Sequence, residues 1–257
     1  MGFMCGRFAV TTDPALLAEK IKAIDEATSE KKDPPSPNFN VAPTTTVATV
    51  VKRHTDPDDE STRRVRLMRW GLVPPWAKTA EDGGPDTKSG PLLINARSDK
   101  VTSSPAFRSS AKAKRCLVPM DGWYEWTKRG EAKGAKTPYY MYAGDGEPLF
   151  MAGLWTTWRP KSADKDVKPL LSCTIITTDA AAQLADIHDR MPLTISAPDW
   201  DRWLDPDAPI DEGLLRGHGD LDRIEIREVS KLVNSIRNNG PELIEPATPE
   251  AEQGTLL

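Results

Sequence analysis

Four short stretches of the sequence combine reactive or charged side chains within otherwise ordinary strand or turn patterns. They are residues 5–7 (CGR), 94–97 (INAR), 121–126 (DGWYEW) and 187–192 (IHDRMP). Together they supply a thiol, an amide, a carboxylate and an imidazole, which can carry out nucleophilic and acid–base chemistry. The thiol and the imidazole resemble the pair of a cysteine hydrolase, and the arginines in the same stretches are suited to binding phosphate groups.

Each of these side chains also has a plain structural interpretation. A cysteine such as Cys5 is most often a small buried hydrophobe, and Asn95 alone could satisfy backbone groups in a turn. His188 alone is typical of a residue that bonds a carbonyl oxygen at a helix end, and Asp189 with Arg190 could be an ordinary ion pair. Glu125 differs, because it lies between aromatic residues on a half-buried strand. A carboxylate there is costly unless it has a partner or a function.

Positive charge is concentrated around these candidates. Residues 97–136 contain ten Lys or Arg and four Asp or Glu, although the whole chain has a net charge of −4. A solvated helix face and a hairpin turn explain this excess as well as a nucleic-acid surface does. Of Trp70, Trp76, Trp123 and Trp126, we expect one or two to stack unpaired bases and the others to fill the core.

Short strands dominate the elements that must position these residues. Hydrophobic spacing predicts strands at 5–10 and in TTTVATVVKR, VRLMRWGLV, RCLVPMDGWYEW, TPYYMYAG, LFMAGLWTTW and LLSCTIITTDA. Helices are predicted at 13–27, near 103–112, from about residue 179 through AAAQLADIH, and at 198–204 and 210–215. We find no internal repeat and no convincing linker, so the pattern predicts one α+β domain with a largely antiparallel sheet.

Composition limits the class of protein. The chain has 257 residues, 38% of them hydrophobic and 28% charged, which is typical of a globular protein with a proper core. It contains no apolar run of about 20 residues and no basic-then-apolar leader, so we expect no membrane association. The three cysteines and three histidines are scattered and form no CxxC pair. Free thiols in a reducing, cytoplasmic compartment are therefore expected, with no metal site.

A longer set of motifs makes the sequence similar to a known family. Nearly all of residues 4–246 is covered by MCGRFA, NFNVAP, RWGLVPPWA, INARSD, RCLVPMDGWYEW, MAGLW, IHDRMP and VSKLVNSIRNNGPELIEP. In this order they resemble the SRAP (SOS response-associated peptidase) family, whose members cross-link to abasic sites in single-stranded DNA. The resemblance implies an SRAP domain over 1–246 with a barrel-like β core flanked by a few helices. The acidic, proline-containing tail at 247–257 is predicted to be disordered.

The resemblance implies covalent chemistry at Cys5, which would be the N-terminal residue of the mature protein. The α-amine of such a residue has a pKa of roughly 7.7–8, so an appreciable fraction is neutral at working pH. The amine would attack the aldehyde of an open abasic sugar to form an imine, and the thiol would close on the imine carbon to give a thiazolidine. Autopeptidase activity and reversal of the cross-link, in DNA damage and repair, are implied as well.

The family pattern also assigns roles to other residues. Asn95 would orient the amine and the sugar, Glu125 would act as acid and base, and His188 would assist opening of the sugar ring. The residues implied to bind DNA are Arg7, Asn40, Pro43, Trp76, Arg97, Arg108, Thr177 and Arg190. Among them, Pro43 is expected to wedge between strands and Trp76 to stack a base. Binding should tolerate sequence and respond to salt.

The implied partner is single-stranded DNA that contains abasic sites. No cofactor is implied, and replication proteins stay open as further partners. A cytoplasmic protein that is nucleoid-associated when bound to DNA is expected.

The sequence departs from the family pattern in several places. Residues 1–3 precede the expected Met4-Cys5, so translation begins at Met4, the protein cuts its own Met4–Cys5 bond, or this form is blocked. Ala77 stands where some relatives carry a second tryptophan. Residues 105–106 stand where some carry an arginine, for which Arg108 is the expected substitute. Three loops look longer than usual, at 56–60, 81–90 and 162–167.

Three functions stay open at the level of sequence. The first is covalent protection of abasic sites, and the second is a thiol peptidase whose substrate bond is its own N-terminal one. The third is a non-covalent single-strand binder in which Cys5 is incidental. Replacing Cys5 with alanine separates them, because only the first predicts loss of a cross-link with DNA binding retained.

Overall fold

The computed structural model describes residues 5–30, 36–87, 90–127, 136–161, 163–164 and 166–247. The N-terminal residues 1–4 and the tail beyond residue 247 lie outside the described residues, as do parts of the loops at 81–90 and 162–167. Within the described ranges, no helix is long and apolar enough to cross a membrane.

Strands form most of the regular structure, in keeping with the prediction from hydrophobic spacing. The strands in the described residues are β1 (Arg7–Val10), β2 (Ile24–Asp25), β3 (Asn38–Val41), β4 (Thr46–Arg53), β5 (Thr62–Trp70), β6 (Asn95–Arg97), β7 (Arg115–Met120), β8 (Gly122–Thr127), β9 (Thr137–Ala143), β10 (Leu149–Trp158), β11 (Leu170–Asp179), β12 (Arg190–Pro192) and β13 (Ile224–Glu228).

Helices are short and lie between the strands. The α-helices described are α1 (Pro14–Lys20), α2 (Ala27–Glu30), α3 (Arg108–Ala113), α4 (Trp200–Leu204) and α5 (Glu212–Arg216). Single 3₁₀ turns occur at Ser98–Lys100, Ala182–Asp186, Ala197–Asp199, Leu221–Arg223, Lys231–Asn234 and Pro241–Leu243.

Two sheets organise these strands. One has the order β13-β9-β8-β1-β3, and all its pairings are antiparallel. The other has the order β12-β11-β10-β7-β4-β5-β2, with β6 added beside β11. A further parallel pairing of β11 with β5 closes five of its strands into a ring. The predicted α+β fold with a mainly antiparallel β core is therefore confirmed, and its closure is ring-like.

Apolar side chains fill both sides of the ring. One cluster packs residues of α1, α3, α4 and α5 against the ring strands. A second cluster joins the ring to the other sheet and includes Cys5, Phe8, Trp70, Trp123 and Ile175. Cys5 and Phe8 are thus buried in the core that connects the two sheets, and this burial fixes the position of Cys5.

Two helix predictions are wrong in extent, and a third, near 103–112, is met only by α3 from Arg108 onwards. The helix predicted at 13–27 begins as expected, because the Asp13 side chain accepts hydrogen bonds from the Ala15 and Leu16 N–H groups. It ends at Lys20, and Ile24–Asp25 instead pairs with β5 as a parallel strand. The segment after residue 179 forms only a 3₁₀ turn at Ala182–Asp186. In the first case, pairing with a distant strand overrides the local helical spacing.

Candidate functional site

The first strand positions Cys5 beside β8. In the antiparallel pairing of β1 with β8, Arg7 lies opposite Tyr124 and Phe8 opposite Trp123. Continuing this register brings the chain at Cys5 alongside the far end of β8. There the backbone N–H of Cys5 donates a hydrogen bond of 2.6 Å to Oε1 of Glu125.

Glu125 faces the protein interior because side chains alternate along β8. Trp123, two residues earlier on the same face, belongs to the apolar cluster that contains Cys5, and Glu125 itself is only 3% exposed. Burial raises the pKa of the Glu125 carboxyl to about 8, against the opposing effect of the Cys5 hydrogen bond. The charge of Asp189 raises this pKa further, and that of Lys136 lowers it. Such a carboxyl can give or take a proton near neutral pH.

Cys5 is fully buried, with 0% exposure. Burial raises the pKa of its thiol well above the usual value, and the nearby Glu125 charge adds to this effect. The thiol is therefore held in its neutral form. Its backbone φ of +39° lies in the left-handed region that non-glycine residues seldom adopt.

Three neighbouring strands assemble a second group of predicted site residues. Strand β11 runs parallel to β6, which puts Arg97 opposite Thr177 and Asn95 opposite Ile175. On its other side β11 is antiparallel to β12, which puts Asp179 opposite Arg190. Segments around residues 95–97, 177–179 and 190–192 thus meet at one end of β11.

His188 lies just before β12 and has two competing partners at one ring nitrogen. Its Nδ1 is 3.0 Å from the backbone nitrogen of Arg190 and 2.8 Å from Oδ1 of Asp189. A neutral ring with its proton on Nε2 accepts the Arg190 N–H at Nδ1. A ring with a proton on Nδ1 donates to Asp189 instead. The two contacts require opposite protonation of Nδ1, so only one of them is a hydrogen bond at a time.

Two observations connect these groups. Ile94, which precedes Asn95, and Met191, which follows Arg190, pack in the same apolar cluster as Cys5. The influence of the Asp189 charge on Glu125 also links the His188 loop to the carboxyl beside Cys5. Residues next to Asn95 and His188 thus lie in or beside the core that holds Cys5, and their joint action with Cys5 and Glu125 stays a prediction.

Arg190 and Thr177 lie inside the protein. The Arg190 guanidinium contacts Asp179 through Nη1, and its Nη2 donates to the carbonyl oxygen of Thr177 at 2.6 Å. Arg190 and Thr177 are both buried. The ion pair suggested between Asp189 and Arg190 is wrong, because the β11–β12 pairing gives Arg190 a partner eleven residues away in sequence. In this structure both residues hold strands together, and contact with DNA stays a prediction.

Arg7 and Asn40 fasten a C-terminal segment to the core. Nη1 of Arg7 donates to Oδ1 of Asn40 at 2.8 Å and to the carbonyl oxygen of Val233 at 3.0 Å. The Asn40 side-chain NH₂ lies 3.3, 3.0 and 3.1 Å from the carbonyl oxygens of Val233, Ser235 and Asn238. Residues 233–238, called here the anchored segment, are therefore held against β1 and β3. No local sequence pattern indicated this role.

The remaining residues predicted to bind DNA are more accessible. Arg97 is exposed and forms a two-pronged ion pair with Asp99, at 2.9 and 3.2 Å. Arg108 is exposed at the start of α3, and Pro43 is half-buried after β3. Trp76 is 55% exposed, whereas Trp70 and Trp123 are core residues. Of the four tryptophans singled out from the sequence, Trp76 thus has the ring most open to a base.

Only some of the Lys and Arg side chains in the positive run at 97–136 lie on the surface. Arg115 is buried, and its guanidinium bonds the carbonyl oxygens of Ala111, Lys112 and Trp203. Its charge therefore ties α3 and α4 to the ring. Three further members of the run, Lys128, Arg129 and Lys133, lie outside the described residues.

Asp189 and Asp179 are the main residues of this region whose roles the sequence did not indicate. Asp189 contacts His188, and Asp179 contacts Arg190. The sequence signal for Asp189 was its position inside the motif IHDRMP. Its contact with His188 depends on how this loop folds and could not be predicted locally. Among the described residues, no group of three His, Cys, Asp or Glu side chains is arranged to hold a metal ion.

A family comparison agrees with this arrangement of motifs. A model described as "SOS response associated peptidase (SRAP)" matches residues 4–236. The chain belongs to the SRAP family. Its four candidate catalytic residues all lie within the matched range.

Individual SRAP relatives align over almost the whole chain. The Bacillus subtilis protein named "Abasic site processing protein YoqW" is 38% identical over 245 residues, covering 94% of this chain and 99% of that protein. The Gallus gallus protein named "Abasic site processing protein HMCES" is 32% identical over 275 residues, covering 95% of this chain and 78% of that protein. A solved structure from Bacteroides thetaiotaomicron superposes with a TM-score of 0.75 at 24% identity, covering 95% of this chain and 100% of that chain. That structure supports the SRAP fold.

Proposed function

We propose that this protein captures abasic sites in single-stranded DNA covalently, through a thiazolidine formed by Cys5 after removal of the residues before it. One observation carries the proposal. The backbone nitrogen of Cys5, which becomes the α-amine, donates to the buried Glu125 carboxyl at 2.6 Å. The relatives named as abasic site processing proteins support the choice of substrate.

The first step releases the amine. Met4 precedes Cys5 in this sequence, and an internal residue has an unreactive amide nitrogen. Hydrolysis of the Met4–Cys5 bond adds water across it, with the hydroxyl going to the Met4 carbonyl carbon and a proton to the Cys5 nitrogen. Glu125 contacts that nitrogen, so its protonated form can supply the proton as the bond breaks. We include this autopeptidase step in the proposal.

The second step captures the aldehyde. The free amine adds to the aldehyde carbon of the opened sugar, and loss of one water gives an imine. The Cys5 sulfur then bonds to the imine carbon, and its proton passes to the nitrogen. The balanced result is a five-membered thiazolidine with the loss of one water in total, and the reverse sequence would undo the cross-link.

The electrostatics of the site suit this order of events. The raised pKa of the Cys5 thiol keeps the sulfur protonated, so the amine is the first nucleophile. A Glu125 pKa of about 8 leaves both protonation states accessible near neutral pH. The acid form can protonate the departing hydroxyl, and the carboxylate can accept a proton from the amine. Cys5 is fully buried in the uncleaved chain, so the sugar reaches it only after cleavage or a local opening exposes the site.

The surrounding residues would orient and assist. Asn95 would hold the sugar and amine from strand β6, which pairs with β11. His188, with its alternative hydrogen bonds to Arg190 and Asp189, would move protons during opening of the sugar ring. Replacing His188 with alanine should slow reaction with a closed-ring abasic sugar more than reaction with a simple aldehyde. Equal losses with both would remove the ring-opening role.

Intact-protein mass spectrometry tests the central proposal. The protein is weighed before and after incubation with single-stranded DNA that carries one abasic site. Before incubation, we expect the mass of a chain that begins at Cys5. After incubation, we expect an adduct whose mass equals that of this chain plus the DNA minus one water. Cys5→Ala should abolish the adduct but retain DNA binding. Cys116→Ala, a matched change of another buried cysteine, should leave it intact.

Other outcomes would redirect the assignment. A free N-terminal Cys5 that gives no adduct would overturn covalent capture, leaving the thiol peptidase or a non-covalent binder. If residues 1–4 stay attached, the same measurement on a chain that begins at Met4 decides whether processing or capture fails.

A further inference from the structure

An uncharged pocket is lined by residues of both sheets, from β3, the last strand of one sheet, and from β4 of the other. Its volume is about 320 Å³, near the lower end of the roughly 300–1,000 Å³ found for small-molecule sites. The other walls come from the end of β1, the start of α1, residues 36–37 and Asn239. None of the described residues that line the pocket is charged. The lining therefore offers no charged partner for a phosphate group and favours a neutral ligand.

Two carboxamide side chains in the lining have unused hydrogen-bond donors. Oδ1 of Asn38 accepts the Asn40 N–H at 2.8 Å, and Oδ1 of Asn239 accepts the Phe39 N–H at 2.7 Å. Each backbone contact fixes which side of the amide carries the oxygen. Within the described part of the chain, neither NH₂ group has an acceptor. Two donors with fixed orientation are thus left for a ligand that carries acceptors.

Hydroxyl and apolar groups complete the pocket. Thr12, Thr45 and Thr46 contribute hydroxyls, and Val10 and Val47 contribute methyl groups. A planar ring with hydrogen-bonding edges suits this mixture, because its faces contact methyl groups while its edges meet amides and hydroxyls. An unpaired nucleobase is such a ring, and its edges are free for hydrogen bonds only when it is unpaired.

The turn between β3 and β4 connects the pocket to a residue already expected to meet DNA. Thr44 has a φ of +78°, a left-handed conformation that a β-branched residue rarely adopts. The Thr44 N–H donates to the Trp70 carbonyl oxygen at 2.8 Å, and the Trp70 N–H donates to the Thr45 carbonyl oxygen at 2.9 Å. These two bonds hold the turn against β5. Pro43 precedes Thr44, and Thr45 lines the pocket, so a base displaced at Pro43 would lie beside it.

We propose that this pocket binds an unpaired base of single-stranded DNA, with the NH₂ groups of Asn38 and Asn239 donating to its acceptors. Five residues separate Val10 in the lining from Cys5, so their Cα atoms are at most about 18 Å apart. About five stacked nucleotides cover that distance. A base near the lesion therefore occupies the pocket while the abasic sugar is at Cys5. That the base belongs to single-stranded DNA rests on the proposed function.

The test removes the donors of the pocket and keeps its acceptors. Asn38→Asp and, separately, Asn239→Asp retain an Oδ atom for the backbone N–H and lose the NH₂ group. Asn234→Asp is the matched control, because its Oδ1 accepts the Trp126 Nε1–H at 2.7 Å and it does not line the pocket. Thermal unfolding verifies that each variant folds.

Fluorescence anisotropy measures the affinity of each variant for two labelled strands of equal length. One is undamaged dT, and the other has the same sugar–phosphate chain without bases. The negative charge that each variant gains weakens binding of both strands through their shared phosphates. The ratio of the two affinities therefore reports the contribution of the bases.

In either pocket variant, the ratio of dT affinity to base-free affinity should fall by roughly fivefold or more, whereas Asn234→Asp should keep the wild-type ratio. An unchanged ratio in both pocket variants, or an equal fall in the control, would overturn the proposal. Neither strand carries an aldehyde, so this ratio does not depend on adduct formation. An abasic-site adduct together with an unchanged ratio would overturn the base pocket alone. A ratio that falls as expected, in a protein that forms no adduct, would support the pocket and overturn covalent capture.

Discussion

The Glu125 carboxyl and the backbone nitrogen of Cys5 are 120 residues apart in sequence and are joined by a 2.6 Å hydrogen bond. The contact exists because β1 and β8 pair in one register, which brings the start of the chain to the only acidic residue of β8. A buried carboxyl is thereby directed at the atom on which the proposed chemistry depends. Several measurable properties follow from this relationship.

Glu125→Gln should change how stability depends on pH. The unfolded pKa of a glutamate is about 4.3, and the folded value is raised to about 8 by burial. The folded state therefore binds more protons between these values, and the wild type loses stability as pH rises from about 4 to 8. Glutamine mimics the protonated form, so the variant should match wild type near pH 4, exceed it by about 1 kcal/mol at pH 5 and exceed it by a few kcal/mol near pH 9.

Chemical denaturation at pH 5, 7 and 9 measures this difference. Glu19→Gln, an exposed glutamate on α1, is the control and should follow wild type throughout. Parallel pH curves for wild type and Glu125→Gln would contradict the raised pKa. The same variant should form or reverse the abasic-site adduct more slowly, and unchanged rates in both directions would remove the acid–base role.

The sequence was most informative where a local rule was broken. Glu125 stood out because a carboxylate interrupts an aromatic strand, and the structure confirms that it is buried. Its hydrogen-bond donor is the Cys5 backbone, and this could not be read locally because it depends on the pairing of two distant strands. The strands themselves were largely predictable, since alternation is a local property.

Errors in the prediction have the same origin. The helix expected at 13–27 stops at Lys20 because β5 recruits Ile24–Asp25 into a sheet, and Asp25 then accepts hydrogen bonds from the first N–H groups of α2. The partner of Arg190 was expected beside it in sequence but is supplied across a strand pair. Local patterns thus identify reactive side chains, while non-local pairing chooses their partners.

Asn40→Asp should loosen the anchored segment. Aspartate can still accept the hydrogen bond from Arg7, but it loses the NH₂ group that lies beside the carbonyl oxygens of Val233, Ser235 and Asn238. We expect a loss of stability of roughly 1–3 kcal/mol and faster amide hydrogen exchange across residues 233–238. Asn239→Ala removes a single acceptor for the Phe39 N–H and should have a smaller effect. Unchanged exchange in Asn40→Asp would favour a role in DNA contact alone.

Asp189→Asn should shift the pH dependence of adduct formation. The Asp189 charge raises the Glu125 pKa, so its removal lowers that pKa. In a plot of the rate of adduct formation against pH, the part of the curve that depends on ionisation of Glu125 should therefore move to lower pH. Loss of the carboxylate also leaves Nδ1 of His188 with the Arg190 N–H as its remaining partner of the two. Asp222→Asn, at an exposed position, is the control. A lower rate with an unmoved profile would mean that Asp189 does not influence Glu125.

Trp76→Ala should separate base stacking from stability. The side chain is 55% exposed, so its removal should lower the free energy of unfolding by less than about 1 kcal/mol. If the ring stacks on a base, affinity for single-stranded DNA should fall by roughly fivefold or more, because such stacking contributes about 1–3 kcal/mol per base. Leu16→Ala removes another large apolar side chain that is 63% exposed, and should leave DNA affinity unchanged.

Equal affinities of the two variants would exclude Trp76 from the DNA path. A selective loss would place the strand over the turn after Pro74-Pro75, where the Trp158 indole donates to the Ala77 carbonyl oxygen at 2.9 Å and fixes the backbone next to Trp76.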